Sequence, residues 1–182
     1  MSSYGVVQAQ AYSAQAGPTI TAAALTECLD GLGRFPWSPL PPPKVNDLLR
    51  FTMEGIISCV VTTPGTARFG IYTAPTSGIL IADSGAINLN TTAKTNVPFR
   101  LEVLIKILSI GSGTAATAAS SFRFESEAIN GAAAGLANVV LIENGAGTGF
   151  DSTITNTMTC FFTQTVATGS FTKKSNAWYL DT

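Results

Sequence analysis

The chain has 182 residues, of which 46% are hydrophobic and 12% are charged, and its formal net charge is −1. This length can bury a full core, while the charged fraction is about half of the roughly 25% that is typical of soluble domains. No basic cluster longer than Lys173-Lys174 occurs, so nucleic-acid binding is not expected, and without histidine the commonest general base is missing. So neutral a surface suits a protein packed against copies of itself or a larger partner; the alternative is a monomer with a Thr- and Ser-rich exterior.

The three cysteines, Cys28, Cys59 and Cys160, form no CxxC or CxxxC pair, which indicates neither a disulfide framework nor a zinc site. Cys59 and Cys160 lie in apolar, strand-like runs and are predicted to be buried free thiols, which indicates assembly in a reducing cytoplasm. The sequence shows neither a secretory signal pattern nor an apolar run near the roughly 20 residues that span a bilayer. We therefore expect no export, no membrane insertion and no cofactor.

Composition changes near residue 45, which predicts an N-terminal arm over residues 1–45 and a sandwich domain over residues 46–182. Within the arm, residues 19–32 are alanine-rich and lie between candidate threonine caps and glycine stops. This pattern predicts one short helix.

A proline cluster over residues 35–43 predicts an extended or polyproline-II path, because proline lacks the amide hydrogen that helices and central strands need. Phe35, Trp37 and Leu40 are costly to leave in water, so we expect the arm to dock on a partner; a flexible tail is the alternative. The predicted partner-binding residues in this cluster are Phe35, Pro36, Trp37, Pro39, Leu40 and Pro41.

From residue 48 onward the chain reads as strands separated by turns. Gly55 interrupts the alternation of the first strand and is a candidate bulge, and the second strand is expected to pair with the first as a hairpin across Thr63-Pro64-Gly65. The strand-like segments are residues 49–61, 67–72, 79–81, 86–89, 97–110, 120–128, 139–142, 153–164 and 170–180.

The clearest strand signal is the segment of residues 97–110, in which apolar residues occupy every second position. A period of two indicates a long, half-buried strand of an antiparallel sheet. About eight such strands without alternating helices predict an all-β, antiparallel two-sheet sandwich that is jelly-roll-like. The alternating apolar residues are Val97, Phe99, Leu101, Val103, Ile105 and Ile107.

Residues that carry chemistry are scarce, and the strongest candidates are Arg123, Glu125 and Glu127 on one strand face. Carboxyl groups two residues apart on a strand lie about 7 Å apart, within the range found in inverting glycosidases. Catalytic pairs straddle a cleft, however, and these residues share one strand. A charge ladder is therefore favoured, with a small hydrolase as the alternative.

The second half of the long strand carries apolar residues on both faces. Leu104, Leu108 and Ile110 lie on the same face as Arg100, Glu102 and Lys106. A strand end that is apolar on both sides needs a cover, which is the arm, a loop or another subunit. Leu104, Leu108 and Ile110 complete the set of predicted partner-binding residues.

Three segments form a distinctive combination of turn and strand sequences: residues 57–67 (ISCVVTTPGTA), 88–102 (NLNTTAKTNVPFRLE) and 147–153 (GTGFDST). Together they resemble small structural proteins of tailed bacteriophage particles. The resemblance covers roughly residues 45–172, and it implies a β-sandwich virion component of the head-decoration (cement) or tail and fibre kind, commonly trimeric.

On these grounds the sequence predicts a non-enzymatic capsid decoration protein located in the virion. It is expected to form a homo-oligomer, a trimer being favoured, and to bind the major capsid protein or other virion proteins through its arm. Deleting residues 1–43 would then leave a folded sandwich that no longer binds particles. The alternative is a tail, baseplate or fibre component that contacts tail proteins or a host glycan.

Overall fold

The structure is a computed structural model that describes residues 9–29, 31, 33–37, 43–60, 64–73, 78–132, 135, 137–143, 149–167 and 169–181. These residues form thirteen β-strands and no helix. The strands are β1 (Ala9–Ser13), β2 (Thr19–Ile20), β3 (Thr26–Glu27), β4 (Phe35–Trp37), β5 (Leu48–Cys59), β6 (Thr66–Tyr72), β7 (Leu80–Asp83), β8 (Ile87–Asn88), β9 (Lys94–Ser109), β10 (Thr117–Ser126), β11 (Asn138–Glu143), β12 (Asn156–Gln164) and β13 (Ser170–Asp181).

Two antiparallel sheets pack against each other. The large sheet has the order β1-β13-β5-β9-β10-β11, with β2 also paired to β13. The small sheet has the order β3-β12-β6-β7, with β4 paired to β12 and β8 to β6. The predicted all-β, two-sheet antiparallel sandwich is therefore confirmed.

The long strand β9 lies near the middle of the large sheet, between β5 and β10. Its side chains alternate as predicted, with Phe99 to Ile107 buried at every second position and Arg100 and Lys106 exposed. The buried row faces the small sheet. The small sheet packs against these apolar side chains and shields them from water.

The predicted hairpin between the first two long strands is wrong. β5 pairs with β13 and β9, whereas β6 pairs with β12, β7 and β8. Each of the two strands has one buried row, and the chain crosses from one sheet to the other between them so that the two rows face each other across the core. A turn signal between alternating strands therefore marks a change of sheet here.

The predicted helix over residues 19–32 is also wrong. The described part of this segment contains the short strands β2 and β3, which pair with β13 and β12. Ile20, Cys28 and Leu29 are buried in the common core. Pairing with neighbouring strands and burial of these side chains outweigh the weak helix preference of the alanines.

The described part of the predicted arm belongs to the sandwich. β1 and β2 extend the large sheet, and β3 and β4 pair with β12 of the small sheet. Asn176 Nδ2 and Trp178 Nε1 each donate a 2.9 Å hydrogen bond to the carbonyl oxygen of Gly33, and fully buried Lys173 bonds Ser13 Oγ at 3.3 Å. The described residues of this segment are thus held by β12 and β13 rather than extended away from the sandwich.

The core is rich in aromatic contacts that cross between the sheets. Phe35 from β4 stacks on Trp178 from β13, with ring centroids 5.7 Å apart. Within the large sheet, Trp178 also contacts Phe51 on β5 at 4.3 Å. Such pairs add about 0.5–1.5 kcal/mol beyond the area that they bury. The core therefore includes a side chain that the sequence assigned to partner binding.

The three cysteines are free and buried, which confirms the prediction for Cys59 and Cys160. Desolvation is the main cause that raises the pKa of both thiols above the ordinary value. A raised pKa lowers the thiolate fraction, so these cysteines are poor nucleophiles in the folded protein.

Gly55 does mark a bulge, although the extra residue belongs to the neighbouring strand. The register with β13 shifts between Lys173, which lies opposite Gly55, and Ser175, and on its other side Gly55 lies opposite Phe99. A Cβ atom at position 55 would lie 2.2 Å from the Thr172 carbonyl oxygen and 2.7 Å from Cε1 of Phe99. Glycine is required here because the backbone and the Phe99 ring occupy the space of a side chain.

Gly55→Ala is expected to lower the free energy of unfolding by about 3 kcal/mol, because backbone and ring must move apart to admit the methyl group. Gly31→Ala is the control, since a Cβ there has no neighbour within 4 Å. Urea denaturation of both variants measures the difference. Equal midpoints for the two variants would contradict the packing described for Gly55.

Phe35→Ala is expected to lower the free energy of unfolding by about 3 kcal/mol, because it opens a cavity against Trp178. The adjacent Pro36 is exposed, so Pro36→Ala should change this free energy by less than about 1 kcal/mol. Thermal denaturation followed by tryptophan fluorescence compares the two. A Phe35→Ala protein as stable as the wild type would contradict the packing of the N-terminal strands into the sandwich. A protein that lacks residues 1–43 and still folds would contradict it too, and would favour the arm as a separate segment.

Candidate interaction surface

The side of the large sheet that points away from the small sheet is called the outer face below. Strand register places charged residues on it in rows of alternating sign. Glu54 on β5 lies opposite Arg100 on β9, which lies opposite Glu125 on β10. In the next row, Glu102 on β9 lies opposite Arg123 on β10. Each residue therefore has an opposite charge as its cross-strand neighbour.

The outer face carries a large share of the few charges that the chain has. Among the residues whose side chains the structure describes, strand alternation and register place nine charged residues on it, out of 21 in the sequence. The outer face is therefore a strongly polar surface on a chain of low overall charge. The nine residues are Arg50, Glu54, Arg100, Glu102, Lys106, Arg123, Glu125, Lys174 and Asp181.

Four of these residues, Arg100, Glu102, Arg123 and Glu125, form a charged quartet around a depression of about 90 Å³. Arg123 donates a hydrogen bond from Nη2 to Oε1 of Glu125. A larger depression of about 470 Å³ adjoins the quartet and is bordered by Glu54, Arg100, Glu125 and Lys174 among others. The quartet is therefore the centre of a concave, polar region of the sheet.

A second polar group lies further along the outer face. The Arg50 guanidinium lies over the Tyr179 ring, with Cζ 4.7 Å from the ring centroid. Arg50 Nε and Asp181 Oδ1 are buried atoms for which the described residues provide no hydrogen-bond partner. Leaving such atoms unsatisfied costs free energy.

Exposed apolar side chains lie beside the charged rows. Leu108 and Ile110 are each 50% exposed, and Leu141 on β11 is 68% exposed. Leu104 and Leu141 border a groove of about 270 Å³ on the outer face, above Ser121. Leu104, Leu108, Ile110 and Leu141 are called the apolar strip. The predicted site on the long strand is therefore open in the isolated chain.

The residues that the sequence assigned to partner binding do not form one site. Phe35 and Trp37 are buried in the core, with relative exposures of 5% and 4%, and of β4 only Pro36 is exposed. These side chains are already buried within their own chain, so they offer no surface to a partner. Pro39, Leu40 and Pro41 lie outside the described residues.

Sequence reasoning missed Val139 and Leu141, the exposed residues of β11. The segment is apolar at four successive positions, so it shows no alternation that would separate an outward from an inward face. Its place at the end of the large sheet is a property of the topology. A short apolar strand next to glycine-rich loops was the available signal, and it does not distinguish an edge strand from a central one.

The carboxylates proposed for hydrolysis each have a separate cationic partner. Glu125 pairs with Arg123, and Glu127, which follows the end of β10, accepts a 3.2 Å hydrogen bond from Lys94 Nζ. This arrangement is typical of a charge ladder along a sheet. Arg123 and Glu125 share the outer face of β10 as predicted, whereas Glu127 lies beyond the end of the strand.

Within the described ranges, no three His, Cys, Asp or Glu side chains lie close enough together to hold a metal ion. The described part of the chain also has no helix of the length and hydropathy needed to cross a bilayer.

No protein-family model matches the chain, and no curated protein matches its sequence.

Arg123→Gln is expected to change the free energy of unfolding by less than about 1 kcal/mol, because exposed ion pairs are screened by water. The Arg123 side chain is 53% exposed, which places it in this class. Urea denaturation at low and moderate salt gives the measurement. A loss as large as that expected for Phe35→Ala would mean that the quartet maintains the fold rather than an interaction surface.

Proposed function

We propose that the protein is a structural component of a tailed-phage particle, a decoration (cement) protein that binds and stabilises the head shell. The resemblance of residues 57–67, 88–102 and 147–153 to virion proteins of this kind suggests the class. The observation that carries the proposal is the outer face, where charged rows adjoin the apolar strip on a rigid sandwich. Such a surface suits a large partner rather than a small substrate.

In binding through the outer face, apolar and charged side chains have different roles. Burial of a fully exposed leucine or isoleucine contributes about 1.5–3 kcal/mol, and Leu108 and Ile110, each 50% exposed, contribute part of this amount. The apolar strip therefore supplies affinity. The charged rows select a partner surface whose charges are opposite in sign and fix the orientation of that partner. Contacts of this size give modest affinity per site, which is sufficient when many identical sites repeat across a shell.

The mode of attachment differs from the clamp that the sequence predicted. Phe35 and Trp37 hold the first strands to the sandwich, so their burial in a partner would require opening the core. The outer face needs no such opening. We therefore assign attachment to the outer face and a structural role to the N-terminal strands.

The location in the particle is tested by copy number. In purified particles of the phage that carries the gene, the protein is expected at hundreds of copies per particle, as judged by stained gel against the major capsid protein. A handful of copies would instead support the tail, baseplate or fibre component. Absence from particles would overturn the virion assignment.

The surface is tested by Leu108→Lys, which places a charge in the apolar strip. The variant is expected to bind less tightly to particles that lack the protein. Its half-saturating concentration should rise at least tenfold, while its melting temperature should not change. Leu25→Lys is the matched control, because Leu25 is 52% exposed and directly precedes β3 of the small sheet. Equal decoration by both variants would contradict attachment through the outer face.

A further inference from the structure

The strand β11 ends the large sheet. Its residues Asn138 to Glu143 pair with β10 on one side, and no described strand pairs with the other side. An open edge presents backbone donors and acceptors in the pattern that another strand recognises. A strand that completes this edge would continue the large sheet beyond one chain.

The other terminal strands carry features that discourage such pairing, and β11 does not. β1 has a register shift between Ala9 and Ala11. β7 is four residues long and ends at Asp83, which accepts hydrogen bonds from Arg68. β11 pairs with β10 without a register shift, contains no proline, and has no charged residue before its last position. Bulges, short length and charge are the usual protections of a sheet edge.

The side chains of β11 specify the chemistry of its occupant. Val139 and Leu141 point outward and are 41% and 68% exposed. Val140 and Ile142 point inward and pack, partly buried, against the core. A strand that pairs here meets apolar side chains on both faces and must itself be apolar on both faces. Among the described terminal strands of the two sheets, β11 itself has this character.

We infer that the occupant is β11 of a second copy of this chain, paired antiparallel across a two-fold axis perpendicular to the sheet. Val140 lies opposite Val140 of the partner subunit, and Val139 lies opposite Leu141 of the partner subunit. This register keeps both outer faces on the same side and places every exposed apolar residue of β11 opposite another. The two large sheets then form one continuous sheet.

A six-residue edge buries less area than a standard stable interface, so we expect the pair to be weak and to dissociate on dilution. The pairing needs neither a phage particle nor the apolar strip beyond Leu141. It also specifies two-fold symmetry, whereas the resemblance implied a trimer. Because the test uses the purified chain alone, its result is separate from that of the particle experiments.

Sedimentation equilibrium over a wide range of protein concentration tests the pairing. The wild-type mass is expected to rise from one chain to two, while Leu141→Lys remains at one chain throughout. Ile154→Lys is the matched control, since Ile154 is 55% exposed and lies outside the strands, and it should dimerise as the wild type does. A single-chain wild type, a trimer, or a Leu141→Lys variant that still dimerises would overturn the inference.

Cysteine cross-linking tests the register. The double variant Val139→Cys with Leu141→Cys places a thiol opposite each partner thiol, and mild oxidation should convert it to covalent dimers. Each single variant should cross-link at least tenfold more slowly, because its thiol faces an apolar side chain. Rapid cross-linking of Leu141→Cys alone would overturn this register, since it would place Leu141 on the two-fold axis.

Discussion

Packing of aromatic rings between the two sheets is the interaction on which the rest of the structure depends. Phe162 on β12 and Phe171 on β13 stack with centroids 4.4 Å apart and planes inclined by 14°, joining the small sheet to the large one. Phe69 on β6 contacts Phe124 on β10 at 5.0 Å. Because these contacts fix the separation and orientation of the sheets, they also hold the outer face rigid.

The sequence predicted the fold where a strand is long and covered on one side. In β9, Phe99, Leu101 and Val103 alternate with charged residues, and the burial follows this period. The N-terminal strands have two to five residues, too few for a period to show, and the alanines between β2 and β3 favour a helix when considered alone. Their conformation is decided by β12 and β13, which lie more than 100 residues away along the chain.

The candidate site was predictable to the extent that it depends on local pattern. Leu104 and Leu108 break the polar row of β9, and that break locates an exposed apolar region in the structure. The same reasoning failed for Phe35 and Trp37. A large apolar residue in a polar segment shows that it avoids water, but it does not show whether its own chain or a partner provides the cover. That choice depends on Trp178 and Phe150, the rings that pack against them.

The face and the edge of the large sheet give the chain two interaction surfaces that use different groups. The outer face offers side chains of β5, β9 and β10, whereas the edge of β11 offers backbone hydrogen-bonding groups. A partner on one surface therefore leaves the other available, apart from Leu141, which borders both. A two-fold contact through the edge would double the number of outer faces on one rigid body. Two linked faces bind a repeated lattice more tightly than two separate ones, because the second contact forms at high effective concentration.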